Sequence, residues 1–217
     1  MRAVFDRLYE RFGPQGWWPA DSPYEVIVGA VLTQSVSWRN VERAIANLKA
    51  EKLLDPHRLH AADEAHLAEL VRPTRYYRQK AKKLKAITAL LVEAYGGSVE
   101  RMLAGPTADV RRLLLGIHGI GPETADSILL YAGGHPVFVV DAYTRRIFHR
   151  VGLWGPDPGY AAMQERFHRE LPPDAALYNE YHALIVALGH RHCRARRPLC
   201  GECPLADTCA HGRARER

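Results

Sequence analysis

The chain has 217 residues, of which 47% are hydrophobic, and its 30 Lys and Arg against 24 Asp and Glu give a formal net charge of +6. This composition predicts one large globular domain or two small ones, and because no apolar run could span a bilayer it argues against a membrane protein. The positive charge favours a polyanionic partner. Residues 1–13 alternate charged and apolar side chains like an amphipathic helix rather than a signal peptide, so we expect a cytoplasmic protein.

The predicted secondary structure is helical almost throughout, so the expected fold class is all-α. Ser22-Pro23-Tyr24-Glu25 reads as a capping box with proline at the first helical position, and the apolar run 26–32 behind it predicts a helix buried on all sides. Only residues 135–140 read as extended, which is too little to build a sheet. Further helices are predicted at 2–12, 38–50, 62–71, 76–95, 107–116, 122–132, 142–152, 160–170 and 174–189.

The segment 72–85 concentrates positive charge around two tyrosines, Tyr76 and Tyr77. A solvated helix face is the commoner explanation for such a run, whereas interleaved aromatic residues favour a nucleic-acid surface. The basic residues of this block are Arg72, Arg75, Arg78, Lys80, Lys82, Lys83 and Lys85.

A glycine turn joins two predicted helices in the sequence 115–125. Gly119 and Gly121 flank one apolar residue, and Pro122 then starts the next helix. Glycines let the backbone approach a surface closely, and a helix start offers free N–H groups, an arrangement that binds phosphate without reading base sequence. Many helical hairpins also turn on glycine, so the pattern alone is weak evidence for DNA binding.

A single carboxylate, Asp141, follows the apolar extended run and precedes a predicted helix. The ordinary role for an aspartate there is to cap the helix N-terminus. The functional alternative is a carboxylate at the lip of a pocket, which could stabilise a cationic sugar and activate water.

All four cysteines lie near the C-terminus, in the spacing C-x6-C-x2-C-x5-C. The absence of secretion signals argues against two disulfides and favours a metal site. Only one short CxxC pair is present, and the unequal arms favour a [4Fe-4S] cluster over zinc. The cysteines are Cys193, Cys200, Cys203 and Cys209, and the basic residues within or beside their spacing are Arg191, Arg194, Arg196 and Arg197.

In order and spacing, the glycine hairpin, the aspartate and the cysteines resemble those of the helix-hairpin-helix DNA glycosylases of the endonuclease III type. The resemblance covers nearly the whole chain. It implies two helical domains with a DNA groove between them: a six-helix barrel carrying the hairpin over residues 23–134, and a [4Fe-4S] cluster domain formed by residues 1–22 and 135–217. The four cysteines would ligate the cluster, which would fix the arginine loop against the DNA backbone.

The family's chemistry breaks the N-glycosidic bond of a base that is flipped out of duplex DNA. Asp141 matches the family's catalytic aspartate. Bifunctional members place a Schiff-base lysine two residues after the second hairpin glycine, and this chain has Glu123 there. A carboxylate cannot form an imine, so we expect a monofunctional glycosylase with weak or no AP lyase activity.

Other motifs resemble the 3-methyladenine DNA glycosylase III branch, which stacks the damaged base between aromatic side chains. These motifs are Trp17-Trp18-Pro19, Val31-Leu32-Thr33-Gln34, Val71-Arg72-Pro73 and Tyr77-Arg78-Gln79-Lys80-Ala81-Lys82, together with Glu123. By position, Trp17, Trp18 and Trp38 would form the walls of the base pocket, where alkylated purines stack well on indole. Tryptophans in helical proteins are more often core residues.

The DNA contacts follow from the same resemblance. Gln34 matches the residue that fills the gap left by the flipped base, and His118 replaces the usual hairpin proline. The remaining predicted contacts to double-stranded DNA containing a damaged base are Gly119, Gly121, Arg194, Arg196 and Arg197.

Three functions are compatible with the sequence. The first is a monomeric, nucleoid-associated glycosylase for alkylated purines such as 3-methyladenine. The second is a bifunctional endonuclease III-type glycosylase and AP lyase for oxidised pyrimidines. The third is a DNA-binding homologue with little or no catalytic activity.

Overall fold

The computed structural model describes residues 1–156 and 158–215, and in these residues the regular structure is entirely helical, which confirms the predicted all-α class. Residues 135–140 form neither a helix nor a strand. The α-helices are α1 (Arg2–Phe12), α2 (Pro23–Leu32), α3 (Trp38–Ala50), α4 (Pro56–Ala61), α5 (Glu64–Leu70), α6 (Tyr77–Tyr95), α7 (Val99–Leu103), α8 (Thr107–Leu115), α9 (Pro122–Ser127), α10 (Ala142–Val151), α11 (Tyr160–Glu170), α12 (Ala175–Arg191) and α13 (Ala210–Arg215). Two 3-10 turns, Arg72–Thr74 and Cys200–Glu202, and a π-helical turn, Ile128–Ala132, complete them.

The chain divides into two compact units. The first unit comprises Met1–Trp17 and Pro136–Arg217, and the second comprises Trp18–His135. The family resemblance predicts a barrel domain at 23–134 and a cluster domain at 1–22 and 135–217, and these limits stay a prediction. No helix in the described part of the chain is long and apolar enough to cross a membrane.

Helix α2 forms the centre of the second unit. Ser22 Oγ accepts a hydrogen bond from the Glu25 N–H at 3.2 Å, and Pro23 fits the first turn because no N–H is needed there. The Glu25 carboxylate reaches back to the Asp21 N–H at 3.1 Å rather than to that of the cap residue. Every residue from Tyr24 to Leu32 is buried, as predicted, and α2 contacts α3, α6, α9 and the π-helical turn.

The hairpin formed by α8 and α9 is held by a charged pair. Asp126, which is fully buried on α9, accepts hydrogen bonds from Arg111 Nε at 2.7 Å and Arg111 Nη2 at 3.1 Å. This two-pronged contact ties α9 to α8 and therefore fixes the turn between them.

Aromatic side chains form the core of the first unit. The Phe138 and Phe167 rings are stacked with their centroids 3.6 Å apart, and Tyr181 meets both rings edge-on. Residues 137–140 are buried in this core, and they hold Asp141 in place at the start of α10.

Most predicted helices agree with the structure to within a residue or two, and the helix predicted at 62–71 corresponds to α5. Helix α4 precedes α5 in the chain, and each of the two is capped by an aspartate: Asp55 accepts from the Arg58 N–H and Asp63 from the His66 N–H, both at 2.9 Å. The predicted helix 122–132 changes to π-helical geometry at Ile128. Three short helices, α4, α7 and α13, were not predicted.

Candidate functional site

Asp141 lies at the N-cap of α10, and its two carboxylate oxygens have different partners. Oδ1 accepts hydrogen bonds from both the N–H and the hydroxyl of Thr144, at 2.7 and 2.8 Å. Oδ2 lies 3.6 Å from Nε2 of His182, and only 14% of the Asp141 side chain is exposed. The carboxylate therefore both caps the helix and lies in an oriented, largely dry position.

The surroundings of Asp141 favour its ionised form. Burial alone would raise the pKa of this carboxyl, but the interaction with the nearby His182 imidazole, together with the two hydrogen bonds from Thr144, outweighs burial, so the pKa lies below its ordinary value. The N-terminal end of α10 adds a favourable positive field. Asp141 is thus a carboxylate at neutral pH although it is largely buried.

His182, which the sequence analysis did not identify, reaches Asp141 from α12. It is buried within the run Tyr181–Ile185, whose other members are apolar or aromatic. A histidine inside such a run was the only local signal, and it could not show which carboxylate the imidazole would meet.

The hairpin turn exposes its two predicted DNA-binding glycines. Gly119 adopts φ +79°, which favours glycine, and Gly121 is the N-cap of α9 with Pro122 behind it. A glycine cap has no side chain to accept from the first N–H groups of the helix. His118 and Glu123 are exposed on either side of these glycines.

Gln34 is joined to this hairpin within the second unit. Its Nε2 donates to Thr124 Oγ1 at 2.8 Å and, at 3.5 Å, to the Gly119 carbonyl oxygen. The structure therefore brings together three of the predicted DNA-facing positions, Gln34, Gly119 and Gly121.

Of the three predicted pocket tryptophans, two are in contact in the second unit. The Trp18 and Trp38 rings meet edge-on with centroids 5.3 Å apart, and Trp18 also packs against Tyr131 at 5.2 Å. Gly29 lets Trp18 approach α2, because a Cβ at Gly29 would lie 3.0 Å from the indole. Trp17 is half-buried and belongs to the first unit.

A pocket opens beside the Trp18 and Trp38 rings. Glu25, Glu42 and Lys49 also line this pocket. The buried carboxylate of Glu25 forms an ion pair with Lys49 at 2.8 Å. The tryptophans thus border solvent-accessible space as well as the core.

The basic block 72–85 is divided by the structure. Lys80 and Lys85 donate to backbone carbonyls and hold chain segments together, Lys80 at Leu32 and Thr74, where burial lowers its pKa to about 8. Lys82 is exposed. The block is therefore not one uniform DNA-facing surface.

The arginine loop between Cys193 and Cys200 is held through its backbone. Arg150 Nη1 donates to the Arg194 carbonyl at 2.7 Å, and Nη2 donates to the Ala195 carbonyl at 2.9 Å. The side chains of the three predicted DNA contacts, Arg194, Arg196 and Arg197, are exposed. Because the carbonyls are held, these guanidinium groups are presented outward from a fixed loop.

The four cysteines form no disulfide and line one pocket in the first unit. Burial, followed by the effect of the other three thiols, raises the pKa of the Cys203 thiol to about 11. Arg150 Nη1 lies 3.4 Å from Cys193 Sγ. Within residues 1–156 and 158–215, no set of three or more His, Cys, Asp or Glu side chains is arranged to hold a single metal ion. Four cysteines that line one pocket, and whose thiolates would repel one another, fit an iron–sulfur cluster, whose iron ions would supply the compensating positive charge.

Comparisons with known proteins match both the region that contains the hairpin and Asp141 and the segment that contains the four cysteines. Residues 28–173 match the HhH-GPD superfamily of base excision DNA repair proteins, and residues 193–209 match the iron–sulfur binding domain of endonuclease III. A protein of Methanocaldococcus jannaschii that has been assigned as a DNA repair glycosylase is 47% identical, over 95% of this chain and 94% of its own.

Two solved structures are similar over most of their length. A trapped endonuclease III–DNA covalent intermediate is 25% identical with a TM-score of 0.85, covering 100% of this chain and 97% of that one. A 3-methyladenine DNA glycosylase of H. pylori, bound to 1,N6-ethenoadenine, is 26% identical with a TM-score of 0.76, covering 87% and 96%.

These matches confirm the predicted family and the [4Fe-4S] cluster as the cofactor. The chain belongs to the HhH-GPD superfamily of base excision DNA repair glycosylases, as an endonuclease III-like member with an iron–sulfur domain.

Proposed function

We propose that the chain is a monofunctional DNA glycosylase that hydrolyses the N-glycosidic bond of a flipped, damaged base and prefers alkylated purines such as 3-methyladenine. The observation that carries this proposal is Asp141, a carboxylate that is largely buried and yet held in its ionised form by His182 and Thr144. Positive charge develops on the sugar as the glycosidic bond breaks, and a fixed negative charge in a dry site stabilises it strongly.

The two carboxylate oxygens of Asp141 have different partners and therefore different proposed roles. Thr144 occupies Oδ1 twice and so fixes the plane of the carboxylate. Oδ2, which faces His182 at 3.6 Å, is the oxygen available to the sugar or to an attacking water. His182 would act through Asp141 by keeping the carboxyl ionised, so it is a positioning residue.

Glu123 supports hydrolysis without strand cleavage. It occupies the position of the family's Schiff-base lysine, on the first turn of α9 directly after Pro122. A carboxylate cannot form the imine that a lyase needs, so water would be the nucleophile. Its charge at the start of α9 also suits the helix dipole and could interact with a cationic base.

The aromatic cluster supports the preference for alkylated purines. Trp18 and Trp38 offer indole faces, which attract electron-poor rings such as methylated adenine. The similar H. pylori protein is a 3-methyladenine DNA glycosylase with an ethenoadenine bound. We propose Trp17, Trp18 and Trp38 as residues that contact the base.

The hairpin and the arginine loop would bind the backbone of double-stranded DNA. Gly119 and Gly121 offer backbone N–H groups, and Arg194, Arg196 and Arg197 offer charge. Cys193, Cys200, Cys203 and Cys209 would hold the cluster, which fixes the loop and takes no part in the hydrolysis. We propose that the protein acts as a monomer at the cytoplasmic nucleoid.

The test is base release from duplexes that carry alkylated, oxidised or mismatched bases, with wild type beside Asp141→Asn. We expect release of alkylated purines by wild type and a large loss of rate in the variant. No release from any lesion, or equal rates for the two proteins, would contradict the catalytic assignment.

One observation favours a second function, a bifunctional endonuclease III-type lyase: the similar endonuclease III was trapped as a covalent DNA intermediate. Borohydride reduction of the protein with an abasic duplex separates the two, because only a lysine imine is trapped covalently. We expect no trapped adduct, and the variant Glu123→Lys provides a matched positive control. A DNA-binding homologue without catalysis would give neither base release nor an adduct.

A further inference from the structure

Three segments of the second unit meet at the side chain of Gln34. Gln34 lies in the turn between α2 and α3, and its amide nitrogen donates to Thr124 Oγ1 on α9 and towards the Gly119 carbonyl. From α6, Lys83 Nζ donates to the amide oxygen, Oε1, at 2.5 Å. Both ends of the amide are therefore held, each by a group that matches its chemistry.

The stem of Lys83 lies against the hairpin at Gly119. A Cβ built on Gly119 would lie 2.5 Å from Cε, 2.7 Å from Cγ and 2.8 Å from Cδ of Lys83. The lysine methylenes thus occupy the space that any other residue at 119 would need. Gly119 serves the turn through its positive φ and also lets the lysine lie across the hairpin.

Lys83 differs in this respect from its neighbours in the basic block. Lys80 and Lys85 donate to backbone carbonyls, where they join helices and loops. Lys83 instead donates to Gln34, the side chain that the family resemblance places in the gap left by the flipped base.

We infer that Lys83 is a positioning residue that sets the orientation of the Gln34 amide before DNA is bound. The inference rests on the proposed glycosylase function and on the role that the family resemblance implies for Gln34, which is to fill the gap left by the flipped base. A free glutamine loses the rotamer freedom of a long side chain when it enters a base stack, whereas one held by Lys83 and Thr124 has lost much of it already.

The test compares Lys83→Met with Lys82→Met, because methionine keeps most of the stem across Gly119 and removes only the ammonium group. The probe is a duplex with a stable abasic-site analogue opposite 2-aminopurine, whose fluorescence changes when a side chain enters the gap. At saturating protein, we expect Lys83→Met to lower the ratio of inserted to non-inserted complex by roughly fivefold to tenfold, the size expected for ordering one glutamine side chain. Lys82→Met removes the same charge from the same helix and should leave the ratio unchanged, although overall affinity falls in both variants.

Further variants separate positioning from loss of fold. Thr124→Val releases the other end of the amide and should act in the same direction as Lys83→Met, with thermal unfolding close to wild type in both. In a Gln34→Ala background, Lys83→Met should have no further effect on the ratio. Equal ratios for Lys83→Met and Lys82→Met, or undiminished loss in the Gln34→Ala background, would overturn the inference.

This assay needs no base excision, so it is independent of the lesion panel. If wild type and Gln34→Ala give the same signal, Gln34 does not enter the duplex, and both its gap-filling role and the inference are wrong. If the fluorescence changes as expected while no lesion is released, the glycosylase proposal fails and the inference about Lys83 stands.

Discussion

Asp126 and Asp141 are both buried carboxylates, yet they lie in different units and have different kinds of partner. Asp126 is fully buried and accepts two hydrogen bonds from Arg111, a cation that stays charged at any pH the protein experiences. Asp141 retains some exposure and is held by the hydroxyl and the backbone N–H of Thr144, with the imidazole of His182 beside it. A permanently charged arginine compensates the charge of Asp126, which suits a structural role. Hydrogen-bond donors and a nearby histidine instead keep Asp141 ionised and available for chemistry.

The largest expected effect concerns catalysis. Asp141→Asn should lower the single-turnover rate of base release by roughly 10²–10³-fold, the usual cost of removing one electrostatic stabiliser of a transition state. Asparagine still caps a helix, so the free energy of unfolding should change by less than about 1 kcal/mol. Rate and urea unfolding are measured on the same preparation, and a large loss of stability would show that Asp141 resembles Asp126 after all.

Asp126→Asn should give the opposite pattern. Removing one member of a buried ion pair commonly costs about 3–5 kcal/mol, and because the Arg111 side chain is 30% exposed we expect roughly 2–3 kcal/mol here. Below the unfolding transition, base release should fall only severalfold, through loosening of the hairpin. If the free energy of unfolding of this variant equals that of wild type, the Arg111–Asp126 pair does not stabilise the hairpin as its geometry indicates.

The pH profile of His182→Gln should further distinguish the catalytic role of Asp141 from the structural role of Asp126. Because the folded-state pKa of Asp141 is depressed, its ionised form persists on acidification and is lost only as pH falls through that lowered value. Without the imidazole, burial is less opposed, so the pKa of Asp141 should rise and the acid limb of the rate profile should move to higher pH. Single-turnover rates from acid to neutral pH on one alkylated duplex measure this shift. A variant profile parallel to wild type would assign His182 a packing role only.

For Asp141 and for the basic block 72–85, the sequence predicted the functional side chains but not the groups that they contact. Asp141 could be singled out because it follows an apolar run, starts a helix and matches a family motif, all of which are local features. His182 could not be placed, since its contact with Asp141 depends on how α12 packs on α10. Likewise, the positive charges of residues 72–85 were visible, but which lysines reach buried carbonyls depends on the positions of Leu32 and Thr74, which only the folded chain defines.

The smallest effect is expected at Thr144, whose hydroxyl is the second donor to Asp141 Oδ1. Thr144→Val keeps the side-chain volume and the backbone N–H bond, so the carboxylate remains capped and loses one hydrogen bond of about 1 kcal/mol. The rate of base release should fall by roughly threefold to tenfold, with a slight rise in the pH of the acid limb because one of the bonds that favour the charged form is gone. A matched Thr124→Val variant, which changes a threonine of the other unit, should leave that limb where it is. If instead both variants move the acid limb equally, the ionisation of Asp141 would not be set by its local hydrogen bonds, and its contrast with Asp126 would have to be sought in burial alone.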